Sequence, residues 1–162
     1  MAVGDKDFNA DITKPPADIA ELWNGTRWTE IPAAEPAGST SLLLGVSCRI
    51  ASDCTATGWW SPSNTSESFP LINHWDGTRW AVVPSPHPAS LNDAVLASVS
   101  CPATGYCIAV DSDGGAVVYQ QDSWSKVTKI DGNNAFTAVS CAATATCVAT
   151  DQYDNVMYYA KG

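Results

Sequence analysis

The sequence has few basic residues and no long apolar segment. Only 8 of its 162 residues are Lys or Arg, against 17 Asp and Glu, and the formal net charge is -9. Surfaces that bind nucleic acid or anionic lipid need clustered Lys and Arg. No run approaches the roughly 18–20 consecutive apolar residues of a membrane-spanning helix. The sequence therefore predicts a protein that neither binds nucleic acid nor inserts into a membrane.

The amino terminus lacks the features of a secretion signal. Residues 1–5 contain neither a basic segment nor an apolar run, and a signal peptide needs both. Six cysteines, seven tryptophans and ten prolines in a chain of this size are nevertheless typical of exported proteins. We therefore expect an extracellular, secreted protein whose signal peptide is absent from this sequence.

Patterns of catalytic and metal-binding residues are also missing. The only histidines, His74 and His87, lie at no zinc-ligand spacing from the cysteines, and no CxxC pair occurs. The run 111–114 (Asp-Ser-Asp-Gly) lacks the later ligands of a calcium loop, so a hairpin turn is the better interpretation. We expect no metal, no cofactor and no enzymatic activity. A glycosidase that assembles carboxylates across a fold would leave no such pattern, so that alternative stays open.

The cysteines fall into three pairs with one constant spacing. The pairs are Cys48 and Cys54, Cys101 and Cys107, and Cys141 and Cys147. An even number of cysteines in regular pairs predicts disulfides and an oxidising compartment. Facing residues of an antiparallel hairpin lie close enough to be bridged. Each pair is therefore expected to bridge a hairpin.

The residues around each pair repeat along the chain. A Val-Ser-Cys triplet opens each copy, at 46–48, 99–101 and 139–141. An aromatic residue followed five positions later by tryptophan recurs downstream, in 23–28, 75–80 and 119–124. Alternating apolar and Ser/Thr residues indicate strands, and Asn-Gly and Asp-Gly steps suit hairpin turns. Each unit therefore reads as four short strands, A to D, with almost no helix.

Antiparallel four-stranded units that repeat in this way are typical of a β-propeller. Solenoid repeats are shorter, and sandwiches rarely repeat their own sequence. We predict a single all-β propeller, or a fragment of one, with about four blades. Its units are 1–34 (strands B–D), 41–84, 94–131 and 135–162 (strands A–C), so the first and last blades are incomplete.

Incomplete blades leave unpaired edge strands, and such edges invite pairing with another chain. A longer natural propeller cut short and a closed four-bladed monomer are the alternatives. We favour a homo-oligomer, either a dimer or a filament, in which subunits complete one another's blades.

The unit around 99–124 resembles the repeats of secreted bacterial β-propeller proteins, particularly those of actinobacteria. The resemblance is carried by Val-Ser-Cys-Pro at 99–102, Cys107, Gly-Gly at 114–115, Tyr119 and Trp124. The run 76–80 (Asp-Gly-Thr-Arg-Trp) is also loosely similar to the Asp-box of sialidase-type propellers, without its leading serine. The resemblance implies the fold and leaves the function open, because propellers serve as lectins, enzymes and scaffolds alike.

Two long B–C connections, 4–21 and 58–71, are the expected places for function. In the second, Trp59 and Trp60 precede Asn64 in a Ser/Asn-rich stretch, which predicts a stacking platform for sugar rings. The alternative is that these tryptophans tuck into the blade edge. Recurring aromatic residues are expected to pack between blades, and these are Trp23, Trp28, Trp75, Trp80, Tyr119, Trp124 and Tyr159. His74 is expected to face a neighbouring blade.

The leading functional hypothesis is a non-enzymatic, lectin-like propeller that recognises carbohydrate or a cell-surface partner. The alternative is a structural subunit that assembles into a dimer or filament. A hydrolase acting on polysaccharide comes third.

Overall fold

The computed structural model describes residues 1–5, 18–86 and 95–160, and this part of the chain contains strands and turns but no helix. The strands are β1 (Ala2–Asp5), β2 (Asp18–Trp23), β3 (Trp28–Pro32), β4 (Ser39–Ile50), β5 (Asp53–Pro62), β6 (Phe69–Trp75), β7 (Trp80–Val82), β8 (Leu96–Ala103), β9 (Tyr106–Asp111), β10 (Gly115–Gln120), β11 (Ser123–Trp124), β12 (Thr128–Lys129), β13 (Phe136–Ala143), β14 (Thr146–Asp151) and β15 (Val156–Ala160).

Strands adjacent in sequence pair to form four antiparallel sheets. The first sheet is β1-β2-β3, the second is β4-β5-β6-β7, and the fourth is β13-β14-β15. The third has the order β11-β10-β9-β8, and β12 also pairs with β10. These sheets confirm the predicted all-β class built from antiparallel sheets, and their arrangement is that of a β-propeller.

Successive sheets pack through apolar clusters. Between the first and second sheets lie Ala20, Leu43, Leu71 and neighbours. Ile72 of the second sheet joins a cluster that is otherwise formed by the third. A last cluster joins Val110 of the third sheet to the fourth. Alternation along each strand sends one set of side chains to the preceding sheet and the other to the following sheet, so the propeller core is divided among the sheet interfaces.

Each cysteine pair forms the predicted disulfide across an A–B hairpin. The Cα atoms are 4.0 Å apart in Cys48–Cys54, 4.1 Å in Cys101–Cys107 and 4.0 Å in Cys141–Cys147. The strands continue past the cysteines and leave only two turn residues, so the five intervening residues are not all turn. Closing so short a loop stabilises the fold by about 2 kcal/mol per bridge in the chain-entropy model.

The serine before the first cysteine links neighbouring sheets. The backbone N–H of Cys101 donates to Ser47 Oγ over 2.9 Å, and that of Cys141 donates to Ser100 Oγ over 3.0 Å. Each bond runs from one A strand to the A strand of the preceding sheet. The Val-Ser-Cys repeat therefore has a physical reason: valine packs in the core, serine binds the next sheet and cysteine closes the hairpin.

The C–D turns differ from two-residue hairpins. The loops 24–27 and 76–79 each contain four residues, and within them only Gly25 and Gly77 have positive φ. The side chain at the first position closes the loop by accepting hydrogen bonds from the backbone.

The fourth strand of the third sheet is interrupted. The sequence predicts one run over 124–130, whereas the structure has β11 and β12 with a break between them. The Ser125 hydroxyl accepts the Val118 N–H over 3.0 Å, and Ser125 N–H donates to Val118 O. The Ser125 side chain thus replaces a backbone carbonyl as the partner of Val118 N–H, and the regular backbone hydrogen bonding between the two strands ends at this point.

Buried carboxylates close the short B–C turns. Asp111 Oδ1 accepts the N–H groups of Asp113 and Gly115, which supports the hairpin-turn interpretation of 111–114. Asp151 holds the equivalent position in the fourth sheet. Burial raises the pKa of Asp151, but hydrogen bonds from Asn155 and others outweigh it, so this pKa lies below its usual value.

Candidate functional site

The structure places the two adjacent tryptophans in a strand and not in a loop. Trp59 and Trp60 belong to β5 and pair with residues of β4 and β6. Successive residues of a strand point to opposite faces, so the two rings cannot form one flat platform. Trp60 packs on Phe69, with ring centroids 5.0 Å apart, and joins the core between the first and second sheets. Asn64 is exposed in the turn that follows.

The prediction of a Trp59–Trp60 platform in a loop is therefore wrong as to place, because β4 extends to Ser39 and holds this segment in the sheet. Whether either ring contacts a ligand stays a prediction. The other long connection, 4–21, lies mostly outside the described residues. His87 also lies outside them.

Six of the recurring aromatic residues form three tilted ring pairs that flank the C–D turns, with interplanar angles of 46°, 48° and 51°. The pairs Trp23–Trp28, Trp75–Trp80 and Tyr119–Trp124 have centroid separations of 5.4, 5.7 and 5.5 Å. The second pair lies in the core between the first two sheets, and the third packs on the core between the second and third. Trp23, Trp28 and Tyr159 are about half exposed.

A cleft of about 750 Å³ opens between the second and third sheets. Turns at the same end of both sheets contribute to it: β4–β5, β8–β9 and β10–β11. The segment 83–86, which leaves the second sheet, forms one wall. None of Trp59, Trp60 and Asn64 lines this cleft.

Asp53 organises the charged wall of the cleft. Its Oδ2 lies 3.1 Å from Arg49 Nε, and its Oδ1 lies 3.1 Å from His74 Nε2. His74 faces the third sheet from β6, as expected from the sequence, because it alternates with Trp75 on the other face. Three side chains from three strands are thus held in one polar cluster that is still partly exposed.

Aromatic rings form the opposite wall. Tyr119 and Trp124 pack on each other as a tilted pair, and Tyr106 at the start of β9 lines the same cleft. Burial, then the negative charge of Asp122 and a hydrogen bond to it, raises the pKa of Tyr119 above its ordinary value. The Tyr119 hydroxyl therefore remains a neutral hydrogen-bonding group throughout the physiological pH range.

A tight turn brings Asp122 to the cleft. Gln121 and Asp122 both have positive φ, 52° and 59°, as a two-residue hairpin of the primed type requires. Aspartate tolerates this backbone region better than most residues. The turn between β10 and β11 thus positions a carboxylate beside the Tyr119–Trp124 pair.

The cleft combines flat apolar rings with carboxylates, hydroxyls, a guanidinium and an imidazole. Such an arrangement suits a ligand with one apolar face and a polar perimeter. Among the described residues, no group of three or more His, Cys, Asp or Glu side chains could hold a metal ion.

Sequence reasoning missed most of this site. Asp53 and His74 of the charged wall are 21 positions apart and meet because β5 and β6 pair. The sequence assigns Tyr119 and Trp124 to packing between blades and gives no sign that they line a cleft. One available signal was His74, a titratable residue predicted to face the next blade.

The three disulfides are compatible with an extracellular protein. Within residues 1–5, 18–86 and 95–160, no helix is long and apolar enough to span a membrane.

No protein-family model matches the chain, and no curated protein matches it. Among solved structures it is similar to a β-propeller described as YCF48 bound to D1 peptide, with a TM-score of 0.53 and 11% sequence identity. The match covers 92% of this chain and 59% of that one, so the chain spans less than two thirds of that protein's length. At this identity the likeness shows the fold alone: the chain is a β-propeller.

Proposed function

We propose that the protein is an extracellular, non-enzymatic binding propeller that holds a neutral carbohydrate in the cleft between its second and third sheets. The observation that carries this proposal is that the Tyr119 and Trp124 rings and the Arg49–Asp53–His74 cluster line one cleft. Sugar rings bury apolar C–H faces on aromatic side chains, and their hydroxyls bond with carboxylates, guanidinium and imidazole groups.

The charge of the cleft favours a neutral ligand over an anionic one. Two carboxylates, Asp53 and Asp122, face a single guanidinium, Arg49, whose Nε is already engaged by Asp53. The whole chain carries a net charge of -9, which repels anions at longer range. Sialylated or phosphorylated glycans are therefore poorer candidates.

The size of the cleft supports a small ligand. Ligand pockets typically enclose about 300–1,000 Å³, and this cleft encloses about 750 Å³. It is large enough for a few sugar residues at the end of a glycan.

A glycan array followed by calorimetry tests the proposal. The wild-type protein is expected to bind at least one neutral glycan, and Trp124→Ala is expected to weaken that binding about tenfold or more, since an aromatic contact contributes roughly 1–3 kcal/mol. Trp59→Ala is the matched control and should bind like the wild type, because Trp59 lies outside the cleft.

Two results would overturn the proposal: no binding of any neutral glycan, or equal binding by wild type and Trp124→Ala. Capture of peptides in place of glycans would show a binding propeller with another ligand class. The hydrolase hypothesis stays a prediction, and release of reducing sugar from polysaccharide tests it.

A further inference from the structure

The two end sheets expose faces that the inner sheets bury. Trp23 and Trp28 are 45% and 48% exposed, whereas Trp75 and Trp80, the same pair one sheet later, are 4% and 5% exposed. The pair geometry is nearly the same, with centroids 5.4 and 5.7 Å apart. The Trp75–Trp80 pair belongs to the core cluster between the first and second sheets, whereas Trp23 and Trp28 belong to none of the core clusters of the described residues.

The outer face of the fourth sheet shows the same contrast. Val156 is 66% exposed, while Ile72 and Ala116, which hold its position in the second and third sheets, are 0% and 4% exposed. Tyr158 and Val148 flank Val156 on this face and are also exposed.

We propose that these two faces bind each other, so that the first sheet of one copy packs on the fourth sheet of a second copy, head to tail. The aromatic face consists of Trp23 and Trp28, and the valine face consists of Val148, Val156 and Tyr158. Together they are the two halves of an interface that already occurs inside the chain, where the Trp75–Trp80 and Tyr119–Trp124 faces pack on the sheet before them.

A second copy fits these faces better than an unrelated partner because the internal interfaces supply the template. Exposed apolar patches on sheet faces commonly mark protein contacts. The contact is heterologous, so repetition either closes a ring or extends a filament.

The experiment is light scattering over a wide concentration range with two single variants. Trp28→Glu places a charge on the aromatic face, and Val156→Asp places one on the valine face. Both residues are exposed, so the variants should fold with intact disulfides. The wild type should rise in mass from 17.1 kDa with concentration, and each variant alone should remain at the monomer mass.

Mixing the two variants gives the decisive result. Each retains the face that the other has lost, so an equimolar mixture should form a dimer that does not extend further. Ile130→Glu is the control, because Ile130 is similarly exposed but lies in the connection between β12 and β13, and this variant should associate like the wild type.

The proposal is overturned if the wild type stays monomeric at every concentration, or if either face variant associates as strongly as the wild type. A mixture that stays monomeric would also overturn it. These outcomes are independent of glycan binding, since the faces share no residue with the cleft.

Discussion

A single polar side chain closes the C–D turn in both of the first two sheets. Asn24 Oδ1 and Asp76 Oδ1 each accept hydrogen bonds from a threonine N–H, from the same threonine's hydroxyl and from the following arginine N–H. The geometry is shared, but only Asp76 is charged. These bonds, with that from the Thr78 hydroxyl the largest cause, lower the pKa of Asp76 to about 2.

Removing the Thr78 hydroxyl should raise the pKa of Asp76 towards 3.8, because the largest stabiliser of its charged form is lost. The lowered pKa in the folded state means that this carboxylate stabilises the fold above about pH 4. That stabilisation is lost as pH falls towards 2. A carboxyl-carbon NMR titration of Thr78→Ala against the wild type measures the shift.

Thr26→Ala is the matched control for that titration. It removes the equivalent hydroxyl beside uncharged Asn24, so it should leave the Asp76 titration unchanged. A pKa near 2 in Thr78→Ala would show that the hydroxyl does not hold the charge.

At the scale of the strand, the A–B hairpin of the second sheet depends on a glycine. The β4–β5 register shifts between Leu43 and Gly45, opposite Gly58. A Cβ on Gly58 would lie 1.8 Å from Leu42 O and 2.9 Å from Leu43 Cα, both backbone atoms. The strands can approach this closely only with glycine at this position.

Gly58→Ala should therefore destabilise the protein by about 3 kcal/mol, since backbone has to move to make room. Gly4 holds the same repeat position in β1, and a Cβ there would meet nothing within 4 Å. Gly4→Ala should change the free energy of unfolding by less than about 0.5 kcal/mol. Chemical denaturation measures both, and equal effects would contradict the assigned packing.

The elements were predictable where local sequence decides them. Val-Ser-Cys triplets with constant cysteine spacing predict the A–B hairpins and their disulfides, because pairing there involves residues six positions apart. The sequence predicts strand β5 too short. The last four residues of β5 pair with the first residues of β4, and some of these paired residues are more than twenty positions apart in the chain. Trp59 and Trp60 were misplaced for that reason.

At the scale of the molecule, the cleft could not be predicted because it exists only between sheets. Asp53, His74 and Trp124 come from different strands of two sheets, and no spacing along the chain relates them. The sequence repeat predicts that successive sheets pack on each other. It does not predict at which interface the packing leaves a cleft. The recurring aromatic positions could be read as interface residues, and the third pair serves both the interface and the cleft wall.

The seven tryptophans offer a direct test of where the ligand binds. Each indole N–H gives one NMR signal, and single Trp→Phe variants assign them. Titration with the neutral glycan that binds best should shift the Trp124 signal while those of Trp23 and Trp59 stay in place. Saturating glycan that leaves Trp124 unmoved and shifts Trp23 or Trp59 would contradict the cleft as the binding site.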